Sequence, residues 1–340
     1  MTGNPHLSHF RLCLCTLLLS FTASTFSQEK PALPPLDCIR LAEAFRVGEQ
    51  LGNEVWSGWD KAPFAVLLVT PEYEFLIRHP NPSSDFLPLG YDELLRSDVF
   101  YRNRVFQPNL LATFPAVNGL STIVIGQAEN TEARTSTRWV LTLLHEHFHQ
   151  LQNSQPTYFK DVEALNLARG DQSGMWMLNY PFPYDSLVVK TAFAKLCSLL
   201  ASALQTRGTE LFRSSVGRYL EGRREFKSTL KDDDYRYFSF QLWQEGIARY
   251  TEYRIAALAA ERYEPMKEFR KLPDFIPYRA LADSLKKRIM DKLLTIDLGR
   301  DRREVVYPFG AAEGLLLDAI NPGWQREYFR KQFDVEKYFR

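Results

Sequence analysis

Residues 135–151 read TSTRWVLTLLHEHFHQL, and this stretch decides how the rest of the chain is read. Trp139, Val140, Leu143, Leu144, Phe148 and Leu151 recur at helical spacing, with Thr135 or Ser136 ahead of them as a cap. His145 and His149 are four apart, so on a helix they stand one turn above each other on one face and two imidazoles can reach one metal ion. Glu146 projects beside them, where it can take a proton from a metal-activated water. His147 sits about 200° around the helix from His145, cannot share that ion, and reads as a packing or supporting residue. The plain alternative is a helix that carries polar residues on its exposed side.

Upstream, Asn118-Gly119 is a turn signal and Ser121 to Ile125 (STIVI) is a short β-branched strand. Phe64 to Val69 and Phe75 to Arg78 read as two strands around Thr70-Pro71-Glu72, and Phe100 to Phe106 as another. Pro80 to Gly90 has loop composition, and Asp37 opens a helix running to about Leu51. Downstream, a loop at Gly174 to Tyr184 leads into helical segments at about 185–206, 210–230, 235–262, 276–293 and 309–320. The expected class is α+β. A small N-terminal lobe with a mixed sheet spans 28–130, and a predominantly helical lobe spans 131–340.

Two histidines leave a zinc site one short of the usual three protein ligands plus an open position. No H-x-x-G-x-x-H pattern follows His149, so the third ligand is a carboxylate. Asp161 and Glu163, near His149 in sequence, and Glu245, in a strong helical pattern, are all candidates. The run Trp243-Gln244-Glu245-Gly246-Ile247-Ala248-Arg249-Tyr250-Thr251-Glu252 has the form W-x-E-G-x-A-x-Y-x-E. It resembles the third-ligand helix of the gluzincin metallopeptidases, notably their aminopeptidase-like catalytic domain. Val306-Tyr307-Pro308-Phe309-Gly310 resembles the Y-x-x-G segment of the same group, and the order of the three motifs matches.

That resemblance implies a zincin-like (thermolysin-like) fold with one Zn²⁺ per chain held by His145, His149 and Glu245. It implies support from Glu252, proton transfer by Glu146, and an oxyanion donor in Tyr307, aimed by a tight turn at Gly310. The gap from His149 to Glu245 is longer than in that group, which implies a helical insertion. The G-x-M-E-N exopeptidase segment is absent, with only Asn118-Gly119 in the corresponding region, so exopeptidase action is not implied.

Residues 1–27 have the layout of a secretory signal peptide. Arg11 precedes the apolar run Leu12 to Phe21, and small residues lead to Ser27-Gln28. The run is too short to span a bilayer. No later stretch reads as a span, so an exported chain, periplasmic or secreted, is expected. The whole chain has 42 Lys and Arg against 41 Asp and Glu, which removes the electrostatic case for nucleic acid or anionic membrane as the main partner. Beyond the leader the cysteines are Cys38 and Cys197, which either pair or are buried separately.

The expected function is an exported zinc-dependent metallohydrolase, a gluzincin-type peptidase acting on a peptide or protein substrate. The alternatives are a non-catalytic exported binding protein on the same fold and a metal-dependent hydrolase of a non-peptide amide. An intact Glu146 argues against the first of these, since a structural zinc needs no base between its ligands.

Overall fold

Side-chain alternation divides the strands into two apolar faces. Val66, Leu68, Phe75, Ile77, Val99, Ile123 and Ile125 join one large core shared with the helices. Leu67, Val69, Leu76, Val117 and Val124 form a second, smaller cluster with Phe86 on the opposite face. The computed structural model describes residues 30–339, and the expected signal segment at 1–27 lies outside the described residues.

Helix α1 (Pro35–Val55) precedes strands β1 (Val66–Val69), β2 (Tyr73–Ile77), β3 (Leu87–Asp92), β4 (Ser97–Asn103), β5 (Leu111–Val117) and β6 (Leu120–Gly126). They form one sheet in the order β3-β4-β2-β1-β6-β5. Strands β1 and β6 run parallel, and every other pair is antiparallel.

Both edge strands differ from expectation for the same reason. β3 begins inside the stretch read as a loop, and β5 carries no alternating signal. β3 contains Pro88 and β5 contains Pro115, and the pairing register shifts beside each proline. Proline lacks the N–H a central strand must donate, so it is confined to edges and bulges, which is where both lie.

The helical part continues with α2 (Ser136–Asn153), α3 (Tyr158–Ala164), α4 (Trp176–Asn179), α5 (Leu187–Gln205) and α6 (Phe212–Ser228). It ends with α7 (Asp232–Gln241), α8 (Ile247–Arg262), α9 (Lys267–Arg270), α10 (Tyr278–Leu293), α11 (Leu298–Asp301), α12 (Val306–Ile320) and α13 (Gln325–Tyr328). Helix α2 is buried almost throughout and packs on β6, β5, α1 and α8. The expected boundary near residue 130 falls between β6 and α2, and one apolar core includes Phe45, Ile123, Leu144 and Trp243 from either side of it.

Neither Thr135 nor Ser136 caps α2 with its side chain. The Ser136 amide instead donates to Asp274 Oδ2 at 2.7 Å, while Arg40 Nε donates to the Ser136 hydroxyl at 2.9 Å. A carboxylate from a distant loop thus takes the capping role, where the helix dipole favours negative charge.

Three further expectations change. No span was expected after the leader, but α5 is long and apolar enough to cross a membrane, with mean hydropathy 1.7. Lys190 and Lys195 break the apolar run in the sequence, yet two cations are compatible with that length and composition. This helix packs against α6 and α12 through Val189, Phe193, Leu196, Cys197, Leu200 and Ala203. The single helix expected over 235–262 is interrupted by a π-helical turn, Leu242–Gly246, between α7 and α8.

Gly310, expected in a tight turn, lies inside α12. A Cβ on Gly310 would stand 2.6 Å from the Cα of Gly246, and one on Gly246 would stand 2.8 Å from the Val306 carbonyl oxygen. The two glycines let backbone meet backbone where α12 crosses the π turn. Gly310→Ala is therefore expected to destabilise the protein by about 1–3 kcal/mol, because the obstruction is backbone and cannot rotate away. Gly217→Ala at an exposed position of α6, where a Cβ meets nothing within 4 Å, should instead stabilise by about 0.4–1 kcal/mol. Denaturant unfolding of the two variants checks the opposite signs.

Candidate metal centre

His145 and His149 project from α2 with their Nε2 atoms 3.2 Å apart. Each Nδ1 has its own oxygen partner. His145 Nδ1 donates to Glu252 Oε1 at 2.7 Å, and His149 Nδ1 donates to Gln152 Oε1 at 2.6 Å. The Gln152 amide is oriented by its own donors, since Nε2 lies 2.7 Å from the Tyr328 hydroxyl and 3.1 Å from the Gln244 carbonyl. Gln244 Nε2, at 3.1 Å, is the more distant neighbour of His149 Nδ1, a donor facing a donor. These partners hold a proton on each Nδ1 and leave the two Nε2 atoms facing each other as the positions a metal ion would take.

Glu245 Oε2 completes a triangle, 3.4 Å from His149 Nε2 and 3.7 Å from His145 Nε2. Tetrahedral ligands with bonds of about 2.0–2.1 Å stand roughly 3.3 Å from one another, so the three donor atoms have zinc spacing. The surrounding charge also suits a cation. Burial resists protonation of His145, but Glu245 and Glu252 outweigh it and push the imidazole up to about 9. Burial would raise the Glu245 carboxyl, yet His149, His145 and Arg303 hold it well below the usual carboxylate range.

Glu245 reaches the histidines from the π turn between α7 and α8. Such turns insert one residue into a helix and re-aim the side chains around it. Glu252, one helical stretch further on, approaches the same His145 ring from its other nitrogen. Its second oxygen accepts from Arg249 Nη1 at 2.7 Å, so the support is itself supported.

Glu146 stands apart from the three converging atoms but close to them. A ligand atom from each of His145, Glu146 and His149 lies within 4.8 Å of the others. The Thr113 hydroxyl on β5 donates to Glu146 Oε2 at 2.7 Å and lies 3.1 Å from the Glu146 carbonyl oxygen. Glu245 Oε2 thus stands at ligand spacing from both imidazoles, and Glu146 is a second carboxylate close to the same two rings. Asp161 and Glu163 lie on α3. Glu163 is exposed, and neither carboxylate bonds to the histidines among the described residues.

His147 points to the opposite side of α2, stacked on Phe64 with ring centroids 3.6 Å apart. Its Nδ1 donates to Gln150 Oε1 at 2.9 Å, and burial pushes it down to about 3, so it is a neutral packing residue. Cys38 and Cys197 are free and separately buried.

Tyr307 lies in the first turn of α12, its ring centroid 6.3 Å from that of His145. Arg303, just before α12, donates through Nη2 to Glu245 Oε1 at 2.7 Å and through Nη1 to the Tyr307 hydroxyl at 3.1 Å. The structure therefore brings His145, Glu146, His149, Glu245, Glu252 and Tyr307 into one neighbourhood. Sequence reasoning missed Thr113, Gln152 and Arg303, although Gln152 stands one helical turn past His149 and Arg303 one turn before Tyr307; Thr113 carries no such signal. The chain matches no protein-family model, no curated protein and no solved structure, so the site is interpreted through its own geometry.

Proposed function

We propose that the chain is an exported zinc-dependent peptidase of the gluzincin type, on a zincin-like α+β frame. The observation that carries this reading is the convergence of two Nε2 atoms and Glu245 Oε2 at zinc spacing, with a second carboxylate, Glu146, beside them. His145, His149 and Glu245 would hold the ion. When bound, zinc would supply Lewis acidity, polarising a carbonyl and lowering the pKa of water.

Glu146 accepts the proton as water attacks the peptide carbonyl carbon. It returns that proton to the amide nitrogen as the carbon–nitrogen bond breaks, giving a carboxylic acid and an amine, which end as carboxylate and ammonium once the acid's proton passes to the amine. Thr113 holds the carboxylate in place by its hydrogen bond to Oε2. Tyr307 donates a hydrogen bond through its phenolic O–H to the oxyanion and keeps its proton.

Incubating the mature protein with a peptide library, with Glu146→Gln as the control, tests the reading. Cleavage by the wild type that disappears in the variant supports it; no cleavage by zinc-loaded wild type, or equal cleavage by both, contradicts it. Tyr307→Phe should lower kcat about 10²–10³-fold with zinc content unchanged, on the scale of losing one oxyanion donor. Unaltered kcat would remove Tyr307 from the reaction and leave the metal site standing.

A further inference from the structure

Arg303 serves three partners from three parts of the chain. Its Nε donates to Gln241 Oε1 at 3.0 Å, its Nη2 to Glu245 Oε1 at 2.7 Å, and its Nη1 to the Tyr307 hydroxyl at 3.1 Å. Gln241 is oriented in turn, because its amide nitrogen donates to the Met177 carbonyl at 2.8 Å. The Arg303 side chain is only 15% exposed, so its fork is held by its surroundings. A planar guanidinium with donors in fixed directions can satisfy three acceptors at once, which an ammonium group cannot do in the same geometry.

Two consequences follow from these contacts. Glu245 Oε1 is occupied by Arg303 while Oε2 faces the imidazoles, so the carboxylate offers a metal one oxygen rather than two. At Tyr307 the guanidinium can only donate, so the hydroxyl is the acceptor in that bond and its own proton stays free. No acceptor for that proton is present among the described residues. Hydrogen bonds that share an atom polarise one another, so accepting from a cation strengthens the phenol as a donor.

Resting on the zinc reading above, we infer that Arg303 is a positioning residue that keeps Glu245 a one-oxygen ligand and turns the Tyr307 hydroxyl outward as a donor. It touches neither metal nor reacting atoms. Its removal should free Glu245 to bind through both oxygens, filling the coordination position that substrate needs.

The test uses the full mature chain loaded with zinc or with cobalt(II), whose visible absorption weakens as coordination rises above four. In Arg303→Gln, zinc affinity by chelator competition should fall about 10–100-fold, the scale for removing a group that supports a ligand. The cobalt bands should lose intensity, and kcat should fall more than KM changes. Arg303→Lys should recover part of the zinc affinity and little of the kcat. Unchanged cobalt bands and unchanged zinc affinity in both variants, alongside a wild type that binds both metals, would overturn the role of Arg303 alone. A wild type that binds neither metal would overturn the zinc reading and this inference together.

Discussion

Glu146→Gln is expected to lower kcat for peptide hydrolysis about 10²–10⁴-fold while the protein keeps about one zinc per chain, the range for losing one general acid–base group. The two halves of this expectation come from different atoms. Metal content depends on His145, His149 and Glu245, whose donor atoms have ligand spacing. On the proposed reading, proton transfer would depend on Glu146, which is not counted among those three donors. Glutamine preserves volume and can still accept the Thr113 hydrogen bond through its amide oxygen, so the loss should be chemical rather than structural. If the variant instead lost its zinc, Glu146 would be a ligand and the assignment of the two carboxylates would be reversed. Metal analysis and steady-state kinetics on the same preparation decide between these.

The second large effect is expected from His149→Ala. Supporting partners of a zinc ligand are worth about 10–100-fold in affinity when removed, so losing a ligand itself should exceed about 100-fold. The purified variant should then carry far less than one zinc per chain. Its neighbours should tolerate the change, since Gln152 keeps its bonds to Tyr328 and the Gln244 carbonyl. Zinc that is fully retained in folded His149→Ala would end the metal assignment.

What the sequence makes legible here is what local spacing encodes. His145 and His149 share a face because four residues make about one helical turn, and Glu146 follows from the same geometry. His147 was separable from them for that reason, and it does stack on Phe64 away from the site. Glu245 and Glu252 were readable as one face of a helix, but the π turn that carries Glu245 has no signature in the run LWQEG. Gly310 serves a helix crossing and not the turn that its sequence context suggests. A glycine read as a turn is equally able to mark a close helix crossing, and only the position of Gly246 distinguishes the two.

Other partners come from distant parts of the chain, and no period links them to the histidine helix. Thr113 sits on a strand obscured by Pro115, and Arg303 lies 58 positions from Glu245. Asp274 reaches the start of α2 across 138 positions. Such contacts are decided by how helices and sheet pack, so they appear only when the fold does. The α+β class was readable from the change of period near residue 130, whereas both edge strands were hidden by the prolines that protect them.

The central claim is that one zinc ion sits between His145, His149 and Glu245. Anomalous scattering measured on both sides of the zinc absorption edge, from crystals of the mature protein grown without chelator, tests it most directly. The expected result is a single zinc peak at about 2.0–2.2 Å from His145 Nε2, His149 Nε2 and one oxygen of Glu245. A zinc-supplied crystal with no peak between the two imidazoles, or with a peak bonded to Glu146 and remote from Glu245, would contradict it.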